Sequence, residues 1–214
     1  MGLGALVRRS MGPLERPVAN LYRSLFVDIN NLSTSIRDHC NATAILEIGG
    51  GEGAMTEQLV SKFPNAKIIS IDIAPTIGRL FSGDMSRVEF LQTSIDDFAS
   101  TRSEKFDLII ICDVLHHVPW DMHQGLLTTA SSLLADDGVF VLKDWENRRN
   151  PINLLSYLLE RYVTGDKVRY KTQLQFQQLI DSVFGKGSIQ KESRIKPWMN
   201  NILFIIKPLM QNKK

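Results

Sequence analysis

Only two of the 214 residues are cysteine, Cys40 and Cys112, and they stand far apart. That scarcity fits a reducing compartment, and the pair forms no metal-type cluster, so no metal is expected. Charge is also close to balanced: a formal net charge of +2 gives no ground for a nucleic-acid partner. No apolar run is long enough to span a bilayer. Gly2 to Val7 is apolar, but Arg8 and Arg9 follow it rather than precede it, the reverse of a secretory leader. Leu6 occupies the position where a myristoylation signal needs Ser or Thr. Repeats and low-complexity tracts are missing as well. What remains, 43% hydrophobic and 22% charged residues, is the make-up of a soluble globular protein, expected in the cytoplasm. The length suits one domain with its own core, or one domain and a short extension.

One stretch organises the rest: Ala44-Ile-Leu-Glu47-Ile-Gly49-Gly50-Gly51-Glu-Gly53-Ala54-Met55. Ala44 to Ile48 reads as a buried strand ending in glycine, and Ala54 to Phe63 as a helix with Met55, Leu59 and Phe63 on one face. A strand, a glycine turn and a helix N-terminus make a cradle for a nucleotide-like ligand, because glycine permits close approach and the first helical amides are free to donate.

Ahead of this stretch, residues 14–38 read as amphipathic helix, with Val18, Leu21, Tyr22, Leu25, Phe26 and Ile29 forming a face that packs on the domain; Tyr22 and Phe26 could also close over a substrate. After it, Ala66 to Asp72 is a second strand ending in an acid, at the spacing of a carboxylate that holds ribose hydroxyls. Pro75 to Phe81 begins a helix, Arg87 to Leu91 is a third strand, and Thr93 to Phe98 a loop. Phe106 to Cys112 is an apolar fourth strand. Asp121 to Leu134 is a helix with Asp121 as N-cap, and Val139 to Trp145 is a fifth strand. Pro151 to Val163 and Thr172 to Phe184 are helices, the second capped by Thr172. Gly187 to Ile195 and Asn201 to Lys207 form a final antiparallel pair. This alternation predicts an α/β fold, a Rossmann-like, doubly wound and mostly parallel seven-stranded sheet, with an antiparallel C-terminal strand and helices on both faces. Residues 1–40 are expected to be a helical extension packed on a domain of residues 41–214. Right-handed crossovers place Gly51, Asp72, Ser94, Asp113, His117 and Asp144 at one sheet edge.

In this order the pieces resemble a class I S-adenosylmethionine-dependent methyltransferase of the small-molecule type over about residues 44–207. Glu47-x-Gly49-x-Gly51-x-Gly53 is similar to that family's first motif, Phe106-Asp107-Leu108 through His117 to its fourth, and Leu133-Leu134-x-x-Asp137-Gly138-x-Phe140 to its turn into the fifth strand. Val168-Arg169-Tyr170 ahead of a helix also recurs in the group. The resemblance implies S-adenosyl-L-methionine as cofactor. Gly49, Gly51 and Gly53, with Glu47 nearby, would meet its amino-acid portion, Asp72 the ribose and Ile73 the adenine. It also puts Ser94 where many relatives carry an adenine-binding Asp, leaving that contact to Ser94 or Asp96, with Ile95 between them. A competing ligand is a dinucleotide, since Gly49-x-Gly51-x-x-Ala54 satisfies the loose fingerprint. Glu47, Gly53 and the final strand pair favour the methyl donor.

The expected reaction is methyl transfer to an oxygen, carbon or nitrogen of a small hydrophobic or aromatic acceptor, with an NAD(P)-dependent reductase or an inactive cofactor-binding partner protein as alternatives. A base is needed only if the acceptor loses a proton. His117 is the first candidate, His116 being expected to point away, and His123 is weaker. Asp144 is a candidate base or orienter, and Asp113 a candidate to orient cofactor or acceptor. Trp145 is expected either to wall the acceptor pocket or to anchor the next helix. Tyr22, Phe26, Tyr157 and Tyr162, with His117, complete the expected acceptor residues. The basic run Arg148, Arg149, Arg161, Lys167, Arg169 and Lys171 reads as a solvated face, or as a landing site for an anionic or carrier-bound acceptor.

Overall fold

The computed structural model describes residues 12–161 and 168–208. Glu15–Phe26 (α1) and Ile29–Arg37 (α2) precede the sheet. Then come Ala44–Ile48 (β1), Ala54–Lys62 (α3), Lys67–Asp72 (β2), Val88–Gln92 (β3), Ile95–Thr101 (α4), Phe106–Cys112 (β4) and His123–Ser132 (α5). Leu134–Trp145 (β5), Pro151–Leu159 (α6), Gln173–Phe184 (α7), Ile189–Arg194 (β6) and Asn201–Ile206 (β7) complete the order. The seven strands lie side by side as β3-β2-β1-β4-β5-β7-β6, and β7 runs antiparallel to both neighbours. The doubly wound, mostly parallel sheet is therefore observed.

Strand periodicity splits the core into two layers. Ile109 and Ile111 of β4 and Phe140 and Leu142 of β5 face α4, α5 and α7, where Phe98, Leu127, Phe176 and Ile180 are buried. Leu108 and Ile110, with Val139 and Val141, face α2 and α3 on the other side, against Leu32, Ile36, Leu59 and Phe63. β4 and β1 sit centrally and are almost wholly apolar because both of their faces are covered. Among the described residues no helix is long and apolar enough to cross a membrane.

Several local expectations change. Residues 14–38 form two helices, broken at Val27, whose extended backbone ends α1, and at Asp28, whose carboxylate caps α2. The apolar stripe of α1 does not face inward as a whole. Glu15 and Ala19 are its buried residues, while Leu21 and Leu25 are exposed, because Glu15 pairs with Arg79 beneath the helix. Residues 73–80 form turns rather than a helix. The stretch after β3 is helical from Ile95, capped by Ser94, whose Oγ accepts from the Asp97 amide. Asp121 lies in a short 3-10 turn and does not cap α5. Thr172 does cap α7, in a reciprocal box with Gln175.

Candidate active site

The first half of the site is built from backbone. The Gly49 and Gly50 amides donate to the Ile71 carbonyl at 2.8 and 3.1 Å, bending the chain sharply off β1. Gly49 has φ 80° and a Cβ there would meet Val114 Cγ2 at 2.2 Å, so no side chain fits. Gly51 has φ 52° as well, but a Cβ there would project into space with no atom within 4 Å. Packing demands glycine at the first position; at the second, only the positive φ does. Gly53 sits at the N-cap of α3.

Two carboxylates hold this loop. Asp72 accepts from the Gly51 amide through Oδ2 and from the Ala74 amide through Oδ1, both at 2.8 Å. Each oxygen keeps a further lone pair for a ligand hydroxyl. Glu47 is buried, its Oε2 accepting from Thr56 Oγ1 at 2.5 Å and Ser70 Oγ at 2.8 Å. Burial pushes the Glu47 carboxyl above its usual range, and the two hydroxyls pull it back only in part. Ile73, just after β2, is 77% exposed and offers an apolar surface. A ligand with a polar amino-acid end, a diol and a flat ring fits these groups. Ser94 also donates to Asp97 Oδ2, Asp96 accepts from Thr129, and Ile95 is buried in the core. All three side chains are thus engaged in seating α4.

The second half is built from side chains that distant segments bring together. After β4 the chain turns through Asp113, which has φ 57° without being glycine, and into a 3-10 turn at Leu115–His117. That turn folds His116 inward. Its Nδ1 lies 2.5 Å from Asp144 Oδ1, and its amide donates to Asp144 Oδ2 at 3.2 Å. Both residues are buried. Burial alone would lower the His116 imidazole, but the Asp144 charge and hydrogen bond outweigh it and leave the value raised above 6.5. Asp144 is held low for the reciprocal reason, although burial opposes it. His116, not His117, is therefore the partner of Asp144. His117 is exposed, its ring centroid 4.1 Å from that of His116. His123 is buried and bonds to the Val118 carbonyl through Nε2.

Asp144 and Trp145 are consecutive strand residues, so they leave β5 on opposite sides. Tyr170 packs on both His116 and Trp145, at 5.5 and 6.5 Å, and shares a hydrogen bond with Ser156 of α6. Trp145 is buried and donates from Nε1 to Asn153 Oδ1, so it anchors the helix that follows. Phe26 lies 6.1 Å from Trp145, and Tyr22 5.2 Å from Phe26. An aromatic wall thus runs from α1 to the His116–Asp144 pair. Tyr157 is 43% exposed on α6, and Tyr162 lies outside the described residues. Asp113 binds the Lys143 ammonium through both oxygens at 2.6 Å.

Asp113, His116 and Asp144 can bring three ligand atoms within 4.8 Å of one another. Lys143 compensates Asp113 and the His116 imidazole hydrogen-bonds to Asp144, so the cluster reads as one ion pair beside a His–Asp hydrogen bond. The expectations missed His116, Lys143, Ser156 and the role of Tyr170. A lysine and an aspartate ending an otherwise apolar strand were the visible signal.

Comparison with known proteins agrees with this geometry. Residues 46–140 match the family of methyltransferase domains. A ubiquinone biosynthesis O-methyltransferase of Nitrosococcus oceani is 34% identical over 100 residues, 44% of this chain and 42% of the relative. A trans-aconitate 2-methyltransferase of Paracidovorax citrulli is 28% identical over 110 residues, 51% of this chain and 42% of the relative. The chain thus spans less than half the length of these curated relatives. Human N-acetylserotonin methyltransferase, solved with its methyl donor, superposes with a TM-score of 0.63 at 19% identity, covering 84% of this chain and 52% of that one. Over residues 46–140 the chain is thus similar in sequence to methyltransferase domains, in keeping with the motif order, and its fold is one that a solved S-adenosylmethionine-bound methyltransferase shares.

Proposed function

We propose that the whole chain is a cytoplasmic O-methyltransferase acting on a small hydrophobic or aromatic acceptor with an ionisable hydroxyl. The observation that carries this reading is the buried His116–Asp144 pair at the end of an aromatic wall. S-adenosylmethionine, when bound, supplies an already activated methyl group, so the protein's task is chiefly positioning. Gly51 would leave room for the cofactor's amino-acid end, Asp72 would accept from its ribose hydroxyls, and Ile73 would pack on its adenine. Asp144 fixes the His116 tautomer: Nδ1 is taken, so Nε2 is the nitrogen turned to an acceptor. A proton leaving the acceptor hydroxyl would pass to Nε2, and Asp144 would stabilise the imidazolium that results. His117 then shapes the pocket mouth beside His116. Tyr170, Trp145, Phe26 and Tyr22 would exclude water and hold a flat or apolar acceptor, while Tyr157 stands on the exposed face of α6. Residues 12–40 would serve as a cover on a catalytic domain that starts at residue 41; residues 1–11 of the expected extension lie outside the described residues.

The test has two stages. Titration calorimetry should show binding of S-adenosylhomocysteine and none of NAD or NADP; the reverse pattern would overturn the reading. Mass spectrometry of a metabolite extract incubated with enzyme and S-adenosylmethionine should then reveal a methylated hydroxyl compound. Cofactor binding without any methylated product would point to the inactive binding protein instead.

A further inference from the structure

The helix α6 is built inside out. Its sequence, Pro-Ile-Asn-Leu-Leu-Ser-Tyr-Leu-Leu, holds no charge, yet its buried residue is Ser156, which bonds to Tyr170. Leu154, Leu155, Tyr157 and Leu158 are 40–60% exposed. In a helix that served only the core, the leucines would face in and the serine out. α1 does the same on a smaller scale, with Leu21 and Leu25 exposed one turn apart. Trp198 and Met199 are exposed as well, in the loop between these two helices: the Trp198 indole donates to the Leu25 carbonyl, and Asn200 bonds to Asn153 and Glu146. Large apolar side chains therefore gather on one side of the molecule, where scattered ones would need no explanation.

The charge around this surface is one-sided. Among the described residues of 146–171, Arg148, Arg149, Arg161, Arg169 and Lys171 stand against Glu146 and Glu160, a net +3 that exceeds the +2 of the whole chain. Arg149 and Arg161, which flank α6, are exposed, and neither side chain makes a hydrogen bond or ion pair among the described residues. Lys196, beside Trp198, is likewise exposed. Leucines and aromatics rimmed by unpaired arginines have the composition of a surface that lies in a bilayer interface. A second copy fits less well, because a two-fold contact through α6 would bring the same arginines face to face.

We propose that α6, the exposed leucines of α1 and the 196–199 loop dock on an anionic lipid bilayer. α6 would then separate lipid on its outer face from the His116–Asp144 pair behind Ser156 and Tyr170. That the bilayer delivers the acceptor rests on the methyltransfer reading; the docking does not.

The test is co-sedimentation of the full chain with vesicles of phosphatidylcholine alone and of phosphatidylcholine with an equal part of phosphatidylglycerol. Binding should appear with the anionic vesicles and weaken with salt. Arg149→Glu with Arg161→Glu should weaken it at least about tenfold, as expected for basic residues at an anionic surface. Leu154→Asp should abolish it while the thermal midpoint stays put. Should Leu154→Asp fail to fold, the arginine pair decides alone. Absence of binding to anionic vesicles overturns the proposal, as does a homodimer in solution that Leu154→Asp dissolves. S-adenosylhomocysteine affinity, measured without vesicles, reports on the methyltransfer reading separately.

Discussion

The two halves of the site are made in different ways. The expected cofactor half is a short run of chain, Glu47 to Gly53, whose amides donate to Asp72 and to the Ile71 carbonyl of the next strand. The proposed acceptor half joins residues from the end of β4, the end of β5, α6 and the segment before α7, and its contacts are made by side chains. Backbone contacts need a fixed local geometry, so they leave a compact sequence mark. Side-chain contacts need only that distant segments meet, and they can be met by many residue types.

The contrast can be broken at its chemical end first. His116→Ala should lower methyl transfer by about 10²–10⁴-fold with S-adenosylhomocysteine affinity unchanged, as loss of a general base does. Equal loss in both would tie the two halves together. Asp72→Ala should do the opposite, weakening cofactor binding by about 10–100-fold, the range for hydrogen bonds to a charged group, with the effect read by calorimetry. A smaller effect separates a base from a mere packing residue. Because Asp144 raises the His116 value above 6.5, the acid limb of the rate against pH should lie above 6.5. Asp144→Asn should move that limb to lower pH, since burial alone lowers the imidazole. The same raised value means that the pair's stabilisation is full below pH 6.5 and fades as pH rises through the folded value. The smallest change is Thr172→Ala. It removes the cap of α7 and should cost about 1 kcal/mol in a denaturant titration while leaving cofactor affinity alone.

Those differences follow how each part appears in the sequence. Strands β1, β2 and β4 were legible because both faces of each are covered, so each is a nearly continuous apolar run. The Thr172 cap was legible from its own residue type. The helix expected after Pro75 is a run of turns, and the loop expected after Gln92 is a helix; in both, local pattern lost to the packing of neighbours. The resemblance left the adenine contact to Ser94 or Asp96, and in the structure both side chains also help to seat α4. In the pair His116 and His117, adjacent residues of one type carry no local sign of which turns inward.

The sequence by itself determined the parallel sheet, the glycine turn and the acid at the end of β2, and with them the class of cofactor. Each of these rests on short-range rules: strand alternation, glycine's access to positive φ, and the spacing of one βαβ unit. Tertiary structure alone decided that His116 meets Asp144, that Trp145 packs on Tyr170 and Phe26, and that α6 shows its leucines outward. A 3-10 turn, a strand end and a helix rotation settle those contacts, and each depends on partners more than ten residues away.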